Sequence, residues 1–117
     1  MPYVDGFVIA VQKDRVDEYE KIAREAGELW KEHGALSVSE CVADDVPYGE
    51  VTSFPRAVQA TDDEIVVFSW IVYESRESRD EVNEKVMADP RMQGDMSEMP
   101  FDGKRMIFGG FKPIMEL

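Results

Sequence analysis

One cysteine, Cys41, and one histidine, His33, are all the chain holds of the two side chains most used for soft-metal ligation and nucleophilic chemistry. A single thiol excludes an intrachain disulfide, and one His with one Cys is too small a set for a zinc site. Long apolar runs are also missing. The longest, Ile65 to Tyr73, falls well short of the roughly 20 residues a membrane-spanning helix needs. No basic stretch leads into an apolar one at the start, so no signal peptide is expected. Positive charge is scarce: 13 Lys and Arg are scattered among 25 Asp and Glu, a net charge of −12. Replacing counterions on nucleic acid requires clustered cations, and an anionic membrane surface repels such a chain. These absences predict a cytoplasmic protein that binds neither nucleic acid nor membrane, its charge serving solubility.

What is present is an ordinary globular composition, 44% hydrophobic and 32% charged, over 117 residues, which predicts one domain spanning 1–117. Tyr3 to Val11 reads as a strand. After it Asp14 is placed to cap a helix whose Val16, Tyr19, Ile22, Ala26, Leu29 and His33 recur at helical spacing, and Gly34 stands where such a helix ends. Ala35 to Ala43 reads as a second strand, and Asp44 to Asp63 as an irregular excursion with a possible helical turn around Phe54, Ala57 and Val58. Glu64 to Glu74, dense in β-branched and aromatic residues, is the strongest strand. Ser75 caps a second helix with Arg79, Val82, Val86 and Met87 on one face, ended by Asp89-Pro90. Arg105 to Ile114 is the last strand.

The order β-α-β-β-α-β predicts an α+β, ferredoxin-like fold: a four-stranded antiparallel sheet with both helices on one face. A half-exposed sheet alternates apolar and polar residues, yet the third strand is apolar on both faces, with Ile65, Val67, Ser69, Ile71 and Tyr73 on one and Val66, Phe68, Trp70 and Val72 on the other. Helices cover one face only. The other is expected to be buried against a second copy, with Phe68 and Trp70 in a homodimer interface.

Several segments carry a family resemblance: Tyr3-Val4-Asp5-Gly6-Phe7, Asp44-Asp45-Val46-Pro47, Val66-Val67-Phe68-Ser69-Trp70, Asp89-Pro90-Arg91-Met92, Met99 to Met106, and Gly109-Gly110-Phe111. Over nearly its whole length the sequence resembles the family known as domain of unknown function 1428, the YbaA-like bacterial proteins. The resemblance implies a dimeric α+β barrel, two ferredoxin-like sheets face to face. It implies no reaction and carries over no catalytic residues. The wider fold group includes small monooxygenases, heme-binding enzymes, lactone isomerases and stress-response proteins, and fold alone does not choose among them.

Few residues offer chemistry. His33 ends the first helix, where it can cap the helix or act as a base or heme ligand; capping is the simpler role. The fold group's heme-binding and monooxygenase members often place a histidine on the second helix, and its lack here speaks against heme. Glu40, Cys41, Asp44 and Asp45 read as a solvated turn rather than a metal site, so no metal or other cofactor is expected. Cys41 reads as a small core residue. Asp5, a carboxylate within an apolar strand, needs a partner, and Arg105 or Lys104 on the neighbouring last strand is expected to supply it, as a structural ion pair or a ligand anchor. Met87, Met92, Met96, Met99 and Met106 suit adaptable apolar packing or a lid. No dinucleotide, Walker or nucleophile-elbow pattern occurs.

Two functions remain. One is small-molecule binding or a cofactor-free reaction of monooxygenase or isomerase type, in a pocket between helices and sheet lined by His33, Ser69, Tyr73 and Arg91. The other is a dimeric interaction or stress-related module without catalysis. The expected pocket lies near the end of the second helix, because that helix is short and sparsely apolar.

Overall fold

A computed structural model describes residues 1–92 and 98–117. Its elements are β1 (Tyr3–Gln12), α1 (Val16–His33), β2 (Ser37–Val42), the one-turn α2 (Phe54–Ala57), β3 (Glu64–Tyr73), α3 (Arg76–Ala88) and β4 (Ile107–Phe111), with 3-10 turns at Lys13–Arg15 and Pro90–Met92. The four strands form one antiparallel sheet ordered β2-β3-β1-β4, the α+β ferredoxin-like arrangement expected. Among the described residues no helix is long and apolar enough to cross a membrane.

Gly34 ends α1 as its position predicts, at a φ of +126° that side chains rarely adopt; its N–H and that of Ala35 return to the Lys31 and Trp30 carbonyls at 3.2 and 3.0 Å. The start of α1 differs from expectation. Asp14 is drawn into a 3-10 turn, Arg15 takes the N-cap position, and no side chain caps the helix. Asp14 therefore contributes only its charge beside the helix N-terminus. Ser75 does cap α3, its Oγ accepting from the Ser78 N–H at 3.0 Å. The edge strands β2 and β4 are shorter than the sequence pattern predicts, each pairing on one side only.

The two faces of the sheet are unlike. Under the helices Tyr3, Ile71 and Tyr73 pack with Leu29 of α1 and with Val82 and Val86 of α3, and Ile9, Val11 and Val67 pack with Tyr19. On the opposite face Val8, Ala10 and Val66 are covered by Val58, which follows α2. The excursion after β2 thus serves as a partial lid on the outer face. α2 is held in place by Ser53, whose Oγ accepts from the Arg56 N–H at 3.2 Å. Beyond that lid Phe68 remains 42% exposed, tilted against Trp70 and edge-on to Phe54, with ring centroids 5.6 and 5.8 Å away. Ile107 and Phe111 of β4 extend this apolar area, whereas Phe108 pairs with Phe7 and so lies on the helix side.

Candidate functional site

Asp5 finds a partner, but not the expected one. Register places Asp5 opposite Gly110 and Val8 opposite Ile107, so Arg105 lies five residues farther along than Asp5's neighbour, on the order of 16 Å away. Arg105 instead forms a two-pronged pair with Glu64, at 2.8 and 2.6 Å, and reaches Asp102 at 3.1 Å. The Glu64 carboxyl is held down to about 2, first by the Arg105 hydrogen bonds. Lys104 does not reach Asp5 either: its backbone N–H bonds the Asp102 carboxylate at 3.0 Å.

Asp5 is 5% exposed and faces Arg79 of α3, whose Nη1 stands 3.3 Å from Oδ1. The same guanidinium donates to the Tyr3 hydroxyl at 3.2 Å and lies over the Tyr3 ring. Asn83, one turn on, accepts from the Trp30 indole N–H at 3.0 Å and from the Tyr73 hydroxyl at 3.3 Å. Burial, and next the Asp5 charge, push the Tyr73 phenol well above its ordinary range. Gly110 makes the arrangement possible: a Cβ there would stand 2.4 Å from the Tyr3 hydroxyl and 2.8 Å from Arg79 Nη2. This is a closed polar seam joining β1, β3, α1 and α3.

The four residues expected to line a pocket do not come together. Ser69 and Tyr73 point under the helices as predicted, but they are 2% and 0% exposed, sealed from any ligand. His33 and Arg91 meet elsewhere, at Asp89, where α3 ends. His33 Nε2 lies 3.0 Å from Asp89 Oδ2, and Arg91 reaches that oxygen at 2.7 Å and Glu32 at 2.7 Å. Arg91, and then His33, hold the Asp89 carboxyl far below the usual range. His33 is therefore a tie between the ends of α1 and α3 rather than a simple helix cap. The seam near the end of α3 is not open, because Met92 packs back onto the core beside Val86. Met87 is 58% exposed and does not share the buried face of α3, and Met96 lies outside the described residues.

The opening lies instead between α1 and the β2 edge of the sheet, a cleft of about 790 Å³. Its walls are mainly apolar, with Val16, Ala23, Val38, Val42 and Val67 among them, and Glu20, Arg24, Glu28 and Lys31 of α1 also border it, Arg24 reaching Glu20 at 3.5 Å. In this wall Tyr19 donates its hydroxyl to Glu40 Oε1 at 2.7 Å. Glu40 is exposed along the strand edge, and the partial burial of its carboxyl against α1 raises it above its ordinary range, an effect partly offset by the Tyr19 hydrogen bond. The Tyr19 phenol is pushed up strongly, first by burial and then by the Glu40 charge, so it stays a proton donor. Glu40 does not belong to a solvated turn: it sits within β2, opposite Ser69, on the helix side. Cys41, next in the strand, pairs with Phe68 on the other side and is exposed rather than a core residue. Among the described residues no three His, Cys, Asp or Glu converge as a metal site would require.

Tyr19 and Glu40 escape sequence reasoning for different reasons. Tyr19 falls on the apolar stripe of α1 and reads as packing. Glu40 does carry a signal: in Val38-Ser39-Glu40-Cys41-Val42 the alternation puts a carboxylate between two apolar residues on one face.

Comparison with known proteins agrees with this architecture. The chain is 56% identical over 116 residues, 99% of each chain, to the uncharacterised protein YbaA of Escherichia coli K12, and equally to that of Shigella flexneri. Its backbone is similar to a dimeric ferredoxin-like protein from an uncultured marine organism, with a TM-score of 0.61, 15% identity and full coverage of both chains. It is also similar to a NIPSNAP domain protein of Burkholderia xenovorans, with a TM-score of 0.58 and 17% identity over 95% of this chain and 93% of that one. Residues 2–103 match the family described as protein of unknown function (DUF1428), and with more than half its own relatives' sequence in common the chain belongs to that family.

Proposed function

We propose that the chain works as a homodimer whose protomers each bind a small, largely apolar molecule in the cleft between α1 and β2. The observation that carries this reading is the Tyr19–Glu40 hydrogen bond of 2.7 Å set among the valines and Ala23 of the cleft, with charged side chains of α1 at its rim. A concave apolar space with a few directed polar groups is the usual form of a small-molecule site. The homodimer rests on the outer face. Phe68, Trp70, Ile107 and Phe111 form a continuous apolar area that α2 leaves uncovered, and a second copy supplies a matching one as a dimeric α+β barrel. The cleft is on the other side of the sheet, so dimerisation leaves it open.

A thermal-shift screen of a metabolite library tests the binding reading. Stabilisers should lose their effect in Ala23→Trp, which fills the cleft, and keep it in Arg91→Ala. Stabilisers that act equally on Ala23→Trp defeat it. Light scattering should give about 27 kDa, twice the 13.3 kDa chain, and Trp70→Glu should yield monomer or aggregate. A wild-type monomer at micromolar concentration removes the homodimer.

A further inference from the structure

We infer that Glu40 is a general base that moves a proton on a carbonyl compound bound in the cleft, with Tyr19 as its positioning residue. The inference rests on the cleft reading above. β2 directs Glu40 to the helix side by its register with Ser69, and α1 brings Tyr19 to it across the cleft. Tyr19 is 6% exposed and fixed edge-on to Phe101, ring centroids 5.8 Å apart, so its hydroxyl has little freedom to turn away. The hydrogen bond thus has one direction: Tyr19 donates and Oε1 accepts. Oε2 has no hydrogen-bond partner, and no cation pairs with Glu40, among the described residues. One carboxylate oxygen is anchored and the other is left for a substrate. Carboxylates held for structure in this fold are treated differently: Asp5, Glu64 and Asp89 each face an arginine.

The walls select the substrate class. Val16, Ala23, Val38 and Val67 offer an apolar or aromatic group its contact surface. At the rim Arg24 is engaged with Glu20 at 3.5 Å, and Glu28 adds a further negative charge. Lys31 donates to the Leu36 carbonyl at 2.8 Å and pairs with no carboxylate among the described residues, so it is the cation that meets a substrate carboxylate. An aromatic or branched α-keto acid has both features and an acidic C–H beside its carbonyl. Glu40 takes that proton. The C–H electron pair becomes the new C=C bond, the carbonyl π pair moves to oxygen, the oxygen takes a proton from water, and the hydroxide so formed takes the proton from Glu40, which restores the carboxylate. The reverse delivers the Glu40 proton to carbon. The net change is keto–enol isomerisation, with no oxidant or reductant. Tyr19 holds the carboxylate in place and favours its ionised form.

Phenylpyruvate is the probe. In D₂O, proton NMR follows loss of its methylene signal, with the uncatalysed rate measured without protein. Wild-type protein should accelerate the exchange by about 10²-fold or more, the range of positioned acid–base catalysis. Glu40→Gln should abolish the acceleration, and Glu40→Asp, with shorter reach, should reduce it. Tyr19→Phe should retain exchange, with its rising pH limb displaced to higher pH because the carboxylate loses a stabilising donor; a merely structural Tyr19 would leave the limb in place. Chemical-shift changes at Ala23 and Val38 report binding separately. Phenylpyruvate that binds there but exchanges equally fast with Glu40→Gln overturns the proton-transfer inference and leaves the cleft reading intact. Failure to bind, with library stabilisers still sensitive to Ala23→Trp, overturns the substrate class alone.

Discussion

Asp5 and Glu40 both point from the sheet toward the helices, yet their surroundings differ in kind. Asp5 belongs to β1, which has a neighbour strand on each side, and α3 closes over it with Arg79. Glu40 belongs to β2, an edge strand, and the helix above it leaves an open cleft. A carboxylate enclosed on all sides must meet a full counter-charge or remain neutral. A carboxylate at an edge keeps some access to water and can stand with a phenol alone. The enclosed pair joins elements of the fold; the edge pair faces the open cleft.

The strongest way to break this comparison is to remove one member of the enclosed pair. Arg79→Ala should cost about 3–5 kcal/mol, because it leaves Asp5 buried without its cation. Urea unfolding would register this as a lower midpoint at unchanged slope. Replacing both, as Asp5→Leu with Arg79→Met, should recover much of the loss. A double variant as unstable as Arg79→Ala would mean that Arg79 serves some group other than Asp5.

Gly110→Ala sharpens the same point without touching a charge. The added Cβ meets Tyr3 and Arg79 at 2.4 and 2.8 Å, so the seam must shift, at about 1–3 kcal/mol. Gly103→Ala, where a Cβ meets nothing within 4 Å, is the control and should change little. Equal losses in the two would show that Gly110 does not admit the Tyr3–Arg79 contact. At the cleft, Tyr19→Phe should cost about 1.5 kcal/mol, the low end for a hydrogen bond to a charged acceptor, because Glu40 stays exposed at the strand edge. A loss as large as that of Arg79→Ala would move the Tyr19–Glu40 pair from chemistry to structure.

Acid titration separates carboxylates by environment, with the smallest effects. Arg105 lowers Glu64 to about 2 from an ordinary 4.5, so Glu64 adds stability above the unfolded-chain value and loses it as pH falls toward 2. The stability gap between wild type and Arg105→Ala should therefore narrow as pH drops through that interval. Burial raises Glu40 above 4.5, so its ionisation in the unfolded chain precedes that in the folded one. Its contribution falls as pH rises from 4.5, and Glu40→Gln should gain on wild type over that rise. Urea midpoints from pH 2 to 7 measure both. Parallel curves for Glu40→Gln and wild type would place Glu40 in ordinary solvent.

The order of elements, the apolar sheet and the ends of most helices are legible locally. Ser75 and Gly34 act on their own few neighbours, and the apolar third strand marks β3 wherever it lies. The polar sites are not legible in that way. The need of Asp5 for a cation follows from its apolar surroundings in the chain, but the choice of Arg79 over Arg105 depends on strand register and on which turn of α3 crosses β1. His33 and Arg91 stand far apart in the chain and meet only because α1 and α3 end side by side at Asp89.

The sequence by itself determined that two faces of one sheet are apolar, that two helices cover one of them, and that Asp5 requires a partner, because periodicity and the cost of burying charge act residue by residue. The tertiary structure decided which cation meets Asp5, that Met92 closes the seam by α3, and that the open space lies at Tyr19 and Glu40. Those outcomes depend on distances between segments many residues apart, and such distances are set only when helices and strands have packed.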